Sequence, residues 1–253
     1  MLTYSLAKCH EFWEILRDLV CDVSLSSVKL DDSVIQLSDT VKILGATLDS
    51  SLTMGPHTKA TSKSCFYHIR SFRQIRSSMD HTMAISVASA LVSSRLDYAN
   101  FVLFGCPQKH AARLQRVQQA LARVVTQQSS VSPLTSIKLL KLQWLPIEWR
   151  IRFKLACLVH KILNTGHPPY LTELLQYHKP TRSTRSSACH LLSVLRHNLS
   201  FGARAFCVAA PKKMEIHTSS HLPIPTYSSF RCHLKTYYFL QPILPPVCLS
   251  LAK

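Results

Sequence analysis

The sequence predicts a mainly α chain, with a small antiparallel β meander near its N-terminus, a helical bundle in its middle and a loop-rich α+β tail. After Pro56, apolar residues recur at helical spacing in successive long stretches. Between Ser27 and Leu48, by contrast, short β-prone runs alternate with Asp/Ser turns. Prolines at 211, 223, 225, 242, 245 and 246 then break up the tail.

Glu11 to Cys21 reads as a short helix, with Phe12, Ile15, Leu16 and Leu19 on one side. The meander follows as Ser27–Leu30, a turn at Asp31-Asp32-Ser33, Val34–Leu37, a turn at Ser38-Asp39, and Val41–Leu48. Helices are expected over Lys59–Ser78, Thr82–Leu96, Gln108–Thr126, Pro133–Leu142 and Glu148–Asn164. Ser132-Pro133 is a cap-then-first-turn start, and Gly166 before Pro168-Pro169 is a stop. A short helix at Pro169–Tyr177, a Ser/Thr/Arg loop at Lys179–Ser187, and short strands at Leu191–Leu195 and Ala205–Ala209 complete the expectation. Three regions are expected, residues 1–50, 51–166 and 167–253.

Charge is the compositional outlier. The formal net charge is +17, from 30 Lys plus Arg against 13 Asp plus Glu. Residues 1–50 hold four basic and eight acidic side chains, so the basic excess lies entirely after residue 50. Five glycines are too few for a Gly-rich phosphate cradle, which excludes nucleotide-binding enzymes of P-loop or Rossmann type. Nine scattered cysteines without a CxxC pair read as reduced thiols of an intracellular protein, in nucleus or cytoplasm. Glu11, Glu14 and Asp18 interrupt the only place for a signal region, and no apolar run approaches the ~20 residues of a membrane span. No membrane partner is expected.

Three helices carry cations in lines. Lys109, Arg113, Arg116 and Arg123 form one stripe, beside an apolar stripe of Leu114, Val117, Leu121 and Val124. Arg150, Lys154 and Lys161 lie beside Ile151, Leu155, Leu158 and Ile162 in the same way. Lys59, Lys63, Arg70 and Arg73 repeat the layout more loosely, with Phe66 on the basic side. A solvated helix face explains any one stripe. Three of them, with only Asp80, Asp97 and Glu148 as acids between residues 51 and 172, point to the phosphate backbone of RNA or DNA.

Other constellations are weaker. Asp31-Asp32 has the residue pair of a two-metal carboxylate site, but its setting is that of a polar turn. Cys65-x2-His68 is half of a zinc site, and the second close pair that such a site needs is missing. No nucleophile or metalloenzyme signature occurs, so no catalytic residue, metal or cofactor is expected. Trp144-Leu145-Pro146 with Trp149 could stack on bases, although an elbow packed into the core is the expected role.

Taken together, several phrases resemble a known family. They are Val41-Lys42-Ile43-Leu44-Gly45 through Leu48-Asp49-Ser50-Ser51-Leu52, Leu91-Val92-Ser93-Ser94-Arg95-Leu96-Asp97-Tyr98, Leu114-Gln115-Arg116-Val117-Gln118 and Gln143-Trp144-Leu145-Pro146-Ile147. Arg150-Ile151-Arg152-Phe153-Lys154, Pro168-Pro169-Tyr170-Leu171, Arg185-Ser186-Ser187, Arg204-Ala205-Phe206, Ala209-Ala210-Pro211 and Phe230 with Leu234-Lys235-Thr236 continue the series. In this order they resemble the C-terminal part of reverse transcriptases from LINE-type non-LTR retrotransposons of jockey style. The resemblance implies that residues 28–50 are the last palm strands, that the helices after Pro56 are a thumb-like bundle, and that the rest is a C-terminal extension. It also implies that the fingers and the catalytic aspartates would precede Met1, leaving a truncated RNA-directed DNA polymerase fragment without catalysis of its own. Where the family has a tryptophan after Ala-Ala-Pro, this chain has Lys212-Lys213-Met214. The alternative is a non-catalytic pseudogene product or domesticated protein-interaction module, self-associating through the face that a missing palm leaves.

Overall fold

A computed structural model describes residues 27–30, 33–36, 38–127, 139, 141–177, 192–194, 202–211 and 226–240. The chain falls into two compact units, Met1–Ser51 and Leu52–Lys253. The expected helices at Glu11–Cys21 and, for the most part, Pro133–Leu142 lie outside the described residues, as do the Asp31-Asp32 turn and the Lys179–Ser187 loop. Of the expected Leu191–Leu195 strand, residues 192–194 are described, and they form no strand: Leu192 alone makes a β-bridge, with Tyr177.

In the first unit the β structure is antiparallel, as expected, but its pairing differs from a three-strand meander. β1 (Ser27–Leu30) pairs with β2 (Ser33–Gln36), and β3 (Thr40–Ile43) pairs with β4 (Ala46–Asp49). The run Val41–Leu48 is therefore a hairpin and not one strand. Leu44 (φ 47°) and Gly45 (φ 81°) both adopt left-handed conformations, which is what a two-residue hairpin turn of type I′ requires. Glycine takes that conformation freely; the leucine before it hid the turn in an otherwise β-prone run.

The second unit is helical. α1 (Gly55–Ile75) begins after Met54 and holds Pro56 in its first turn, where the missing amide costs nothing. α2 (His81–Ala88) starts on Asp80, whose carboxylate accepts the Met83 amide at 2.6 Å as an N-cap. It runs through a π-helical turn, Ser89–Ser93, into α3 (Ser94–Asp97), so the expected Thr82–Leu96 helix is present with a bulge in it. α4 (Gln108–Val125) and α5 (Ile147–Thr165) match their amphipathic spacing within two residues. Gly166 (φ 67°) closes α5 by donating its amide to the Ile162 carbonyl at 2.8 Å. α6 (Pro169–Thr172) is a single turn, shorter than expected.

α1 and α4 run parallel. His110 faces Thr58 at their starts, while Arg76 just past α1 donates Nε (3.0 Å) and Nη2 (2.8 Å) to the carbonyl of Val125, the last residue of α4. A buried guanidinium thereby serves an end carbonyl that the helix itself leaves unsatisfied. Cys65, Ile69 and Phe72 of α1 are buried, as are Leu114, Val117 and Leu121 of α4.

α5 is covered on further sides. α7 (Tyr227–Leu240) lies antiparallel to it, with Trp149 against Tyr238 at 5.1 Å between ring centroids and His160 stacked on Phe230 at 3.8 Å. Leu155 and Val159 pack instead with Leu192, Ala209 and Ala210. Two expectations for the tail are corrected here. Residues 206–211 form a helical turn where a strand was expected, because Ala209 and Ala210 offer small faces that sit closely against α5. Where loops were expected, Phe230, Leu234 and Tyr238 recur every four residues and give α7 its apolar stripe.

Burial holds the imidazoles of His57 and His160 below their ordinary value of 6.5. The unfolded chain then binds more protons than the folded one as pH falls, so stability is full above the ordinary histidine value and declines below it. The melting temperature should therefore drop between about pH 7.5 and pH 5.5. His160→Phe, which keeps a ring on Phe230, should flatten part of that drop. A melting temperature that is constant or rises on acidification would contradict this.

Candidate nucleic-acid interface

The cations of α1 form the most open set. Lys59, Lys63, Arg70 and Arg73 are all exposed along one face, and none makes an ion pair among the described residues. Helix α1 contains no acidic residue. Two aromatic side chains stand among these cations: Phe66 is 40% exposed and Tyr67 is 68% exposed. The spacing of four residues and then seven that keeps the cations in line also places Phe66 between Lys63 and Arg70.

On α4 the expected stripe separates into two kinds. Lys109 and Arg116 are exposed. Arg113 is half-buried and donates Nη1 to the Thr58 hydroxyl at 3.3 Å, tying α4 to the start of α1. Arg123 is half-buried too, with Nε in the interior and no hydrogen-bond partner among the described residues.

On α5 the cation expected to head the row is engaged inside the molecule. Arg150 Nη1 meets both carboxylate oxygens of Asp97, at 3.0 and 3.1 Å, and its Nε donates to the Leu145 carbonyl at 3.0 Å. Lys154 is exposed and reaches the Asp97 carbonyl at 3.3 Å, and Lys161 is exposed without such a contact among the described residues. Arg152, absent from the expected row, pairs with Glu148 and lies over the Trp149 ring at 4.7 Å.

The Trp-Leu-Pro segment is an elbow packed into the core. Trp144 and Trp149 are buried, and the backbone between them is gripped by polar side chains. Gln118, wholly buried on α4, donates to the Leu145 carbonyl at 2.8 Å, and Gln115 accepts the Ile147 amide at 2.9 Å. Gln115 also donates to Gln118 at 3.1 Å, so each amide supports the other.

The half zinc site is divided between core and flank. Cys65 is buried, and burial pushes its thiol up to about 11, so it stays protonated. His68 is half-buried with its ring edge-on to Tyr67. No group of three His, Cys, Asp or Glu residues that could hold a metal comes together among the described residues. Nor is any described helix long and apolar enough to cross a membrane.

Besides Arg152, four cations outside the predicted set matter to the geometry. Arg76 serves the end of α4, and Arg204 donates to the Leu52 carbonyl at 2.6 Å. Arg231 and Lys235 stand one turn apart on α7 beside Arg150 and Lys154. Their four-residue spacing next to Phe230 and Leu234 was a usable helical signal; flanking prolines obscured it.

Gln118→Leu removes one of the two donors to the Leu145 carbonyl, and the support of Gln115, while preserving side-chain size, and should cost about 1–3 kcal/mol of folding stability. Urea unfolding measures this directly. A loss under about 0.5 kcal/mol would mean that the Arg150 donor and packing hold the elbow without Gln118.

No family model, curated protein or solved structure matches the chain.

Proposed function

We propose that this chain is a retrotransposon-derived reverse-transcriptase fragment without polymerase chemistry of its own, and that it binds RNA or DNA without sequence preference through α1 and the exposed cations of α4 and α5. The observation that carries the binding proposal is α1 itself: exposed Lys59, Lys63, Arg70 and Arg73 with no acid in the helix. Phosphates neutralise such a row, and each contact releases condensed counterions. Phe66 and Tyr67 add flat surfaces on which unpaired bases can stack. Lys109 and Arg116, then Lys154 and Lys161, supply further positive charge that the interior does not require. The retrotransposon origin rests on the order of the sequence phrases, and on that reading the family's catalytic aspartates are not part of this sequence.

Fluorescence anisotropy with a labelled single strand tests the binding. Affinity should fall at least about tenfold between roughly 50 and 200 mM salt, similarly for unrelated sequences. Replacing Lys59, Lys63, Arg70 and Arg73 together by Ala should reduce the slope of log affinity against log salt by up to about 3. No binding at low salt, or binding indifferent to salt, would refute the proposal.

A second reading, a protein-interaction module, is favoured by one observation in the first unit. Val41 and Ile43 on β3 are about half exposed, and Leu44 at the turn is 87% exposed. Apolar side chains on a short, open hairpin invite association with another surface. On this reading Val41→Lys with Ile43→Lys converts a self-associated species to monomer in size-exclusion chromatography. A wild-type chain that is already monomeric at high concentration would remove self-association from consideration.

A further inference from the structure

A pocket of about 310 Å³ opens between the end of α3, the start of α5 and the middle of α7, lined among others by Asp97, Asn100, Arg150, Lys154, Arg231 and Lys235. Its volume is at the small end of ligand-binding cavities. Four cations surround it and one carboxylate stands among them. Asp97 is committed to Arg150, which fixes the guanidinium in place and leaves Lys154, Arg231 and Lys235 as a positive rim without an ion pair among the described residues. Arg231 and Lys235 make no ion pair among the described residues, and each lies 5.7 Å from an aromatic ring centroid. The wall is polar as well. Asn100 is 3% exposed, its amide reaches Asp97 at 3.4 Å, and its Oδ1 has no hydrogen-bond partner among the described residues.

We propose that this pocket binds the terminal phosphate monoester of a nucleotide. A monoester carries about −1.5 to −2 charges at pH 7, more than the single charge of a backbone diester, and a rim of three such cations favours the more highly charged group. A guanidinium held by its own carboxylate supplies directed donors, while the two lysines act as point charges. Free mononucleotides and the phosphorylated end of a strand offer the same chemistry. The strand-end form rests on the nucleic-acid reading above; the free-nucleotide form does not.

The test compares 3′-labelled oligothymidines bearing a 5′-phosphate or a 5′-hydroxyl, together with titration of AMP into the full chain. The phosphorylated strand should bind about tenfold tighter than the hydroxyl strand, and AMP should bind and compete that advantage away. R231A with K235A should erase the advantage, whereas R231K with K235R, which keeps both charges, should retain most of it; far-ultraviolet dichroism confirms that α7 still folds. AMP binding without an end preference assigns the pocket to free nucleotides, and an end preference with negligible AMP binding assigns it to strand ends. If AMP binds while the hydroxyl strand does not, the general strand-binding reading fails and the pocket stands. Equal affinity for the two strands with no AMP binding, or an advantage undiminished in R231A/K235A, would overturn the proposal.

Discussion

The second unit depends on one buried carbonyl. The backbone oxygen of Leu145 receives Gln118 from α4 and Arg150 from α5, and Arg150 then grips Asp97 at the end of α3. Three segments distant in sequence are joined at a chain reversal that no regular element could satisfy. An unpaired carbonyl at such a site would cost on the order of 1–3 kcal/mol, and two donors, one from each flanking helix, keep it satisfied while Trp144 and Trp149 are buried around it. Once the elbow is set, α5 has its direction, and α7 and the helical turn at 206–211 can cover its other faces.

That same interaction divides the positive charge into two populations. Arg150 and Arg113 are engaged in holding helices together, and Arg76 and Arg204 terminate segments whose carbonyls would otherwise be bare. Lys59, Lys63, Arg70, Arg73, Lys109, Arg116 and Lys161 take no such role among the described residues and are exposed. The net charge of +17 is thus partly architectural, and only the outward population is available for a polyanion. The pocket beside α7 lies where the two populations meet, since the Arg150 guanidinium held by Asp97 there borders Lys154, Arg231 and Lys235.

The long helices were legible because their apolar residues follow a 3.6-residue period and their ends carry local signals, as Gly166 does for α5. Burial of the tryptophan elbow was legible from the area an indole hides. What the period could not reveal was the fate of a particular cation. Arg150 and Lys161 occupy equivalent places in one stripe, yet Asp97, more than fifty residues away in sequence from Arg150, neutralises only the first. The hairpin at Leu44-Gly45 was hidden because the turn uses a leucine in a left-handed conformation. α7 was obscured by prolines on both sides, although Phe230, Leu234 and Tyr238 carried the right spacing.

The central claim is that the outward cations of the helical unit meet nucleic acid. Lysine footprinting by mass spectrometry tests it most directly: the chain is acetylated with and without a saturating single-stranded oligonucleotide at low salt, and modification is read at each lysine. Protection concentrated at Lys59 and Lys63, with Lys109 and Lys161 following, is the predicted result. Equal acetylation with and without the oligonucleotide, or protection confined to Lys42 of the first unit, would contradict the account.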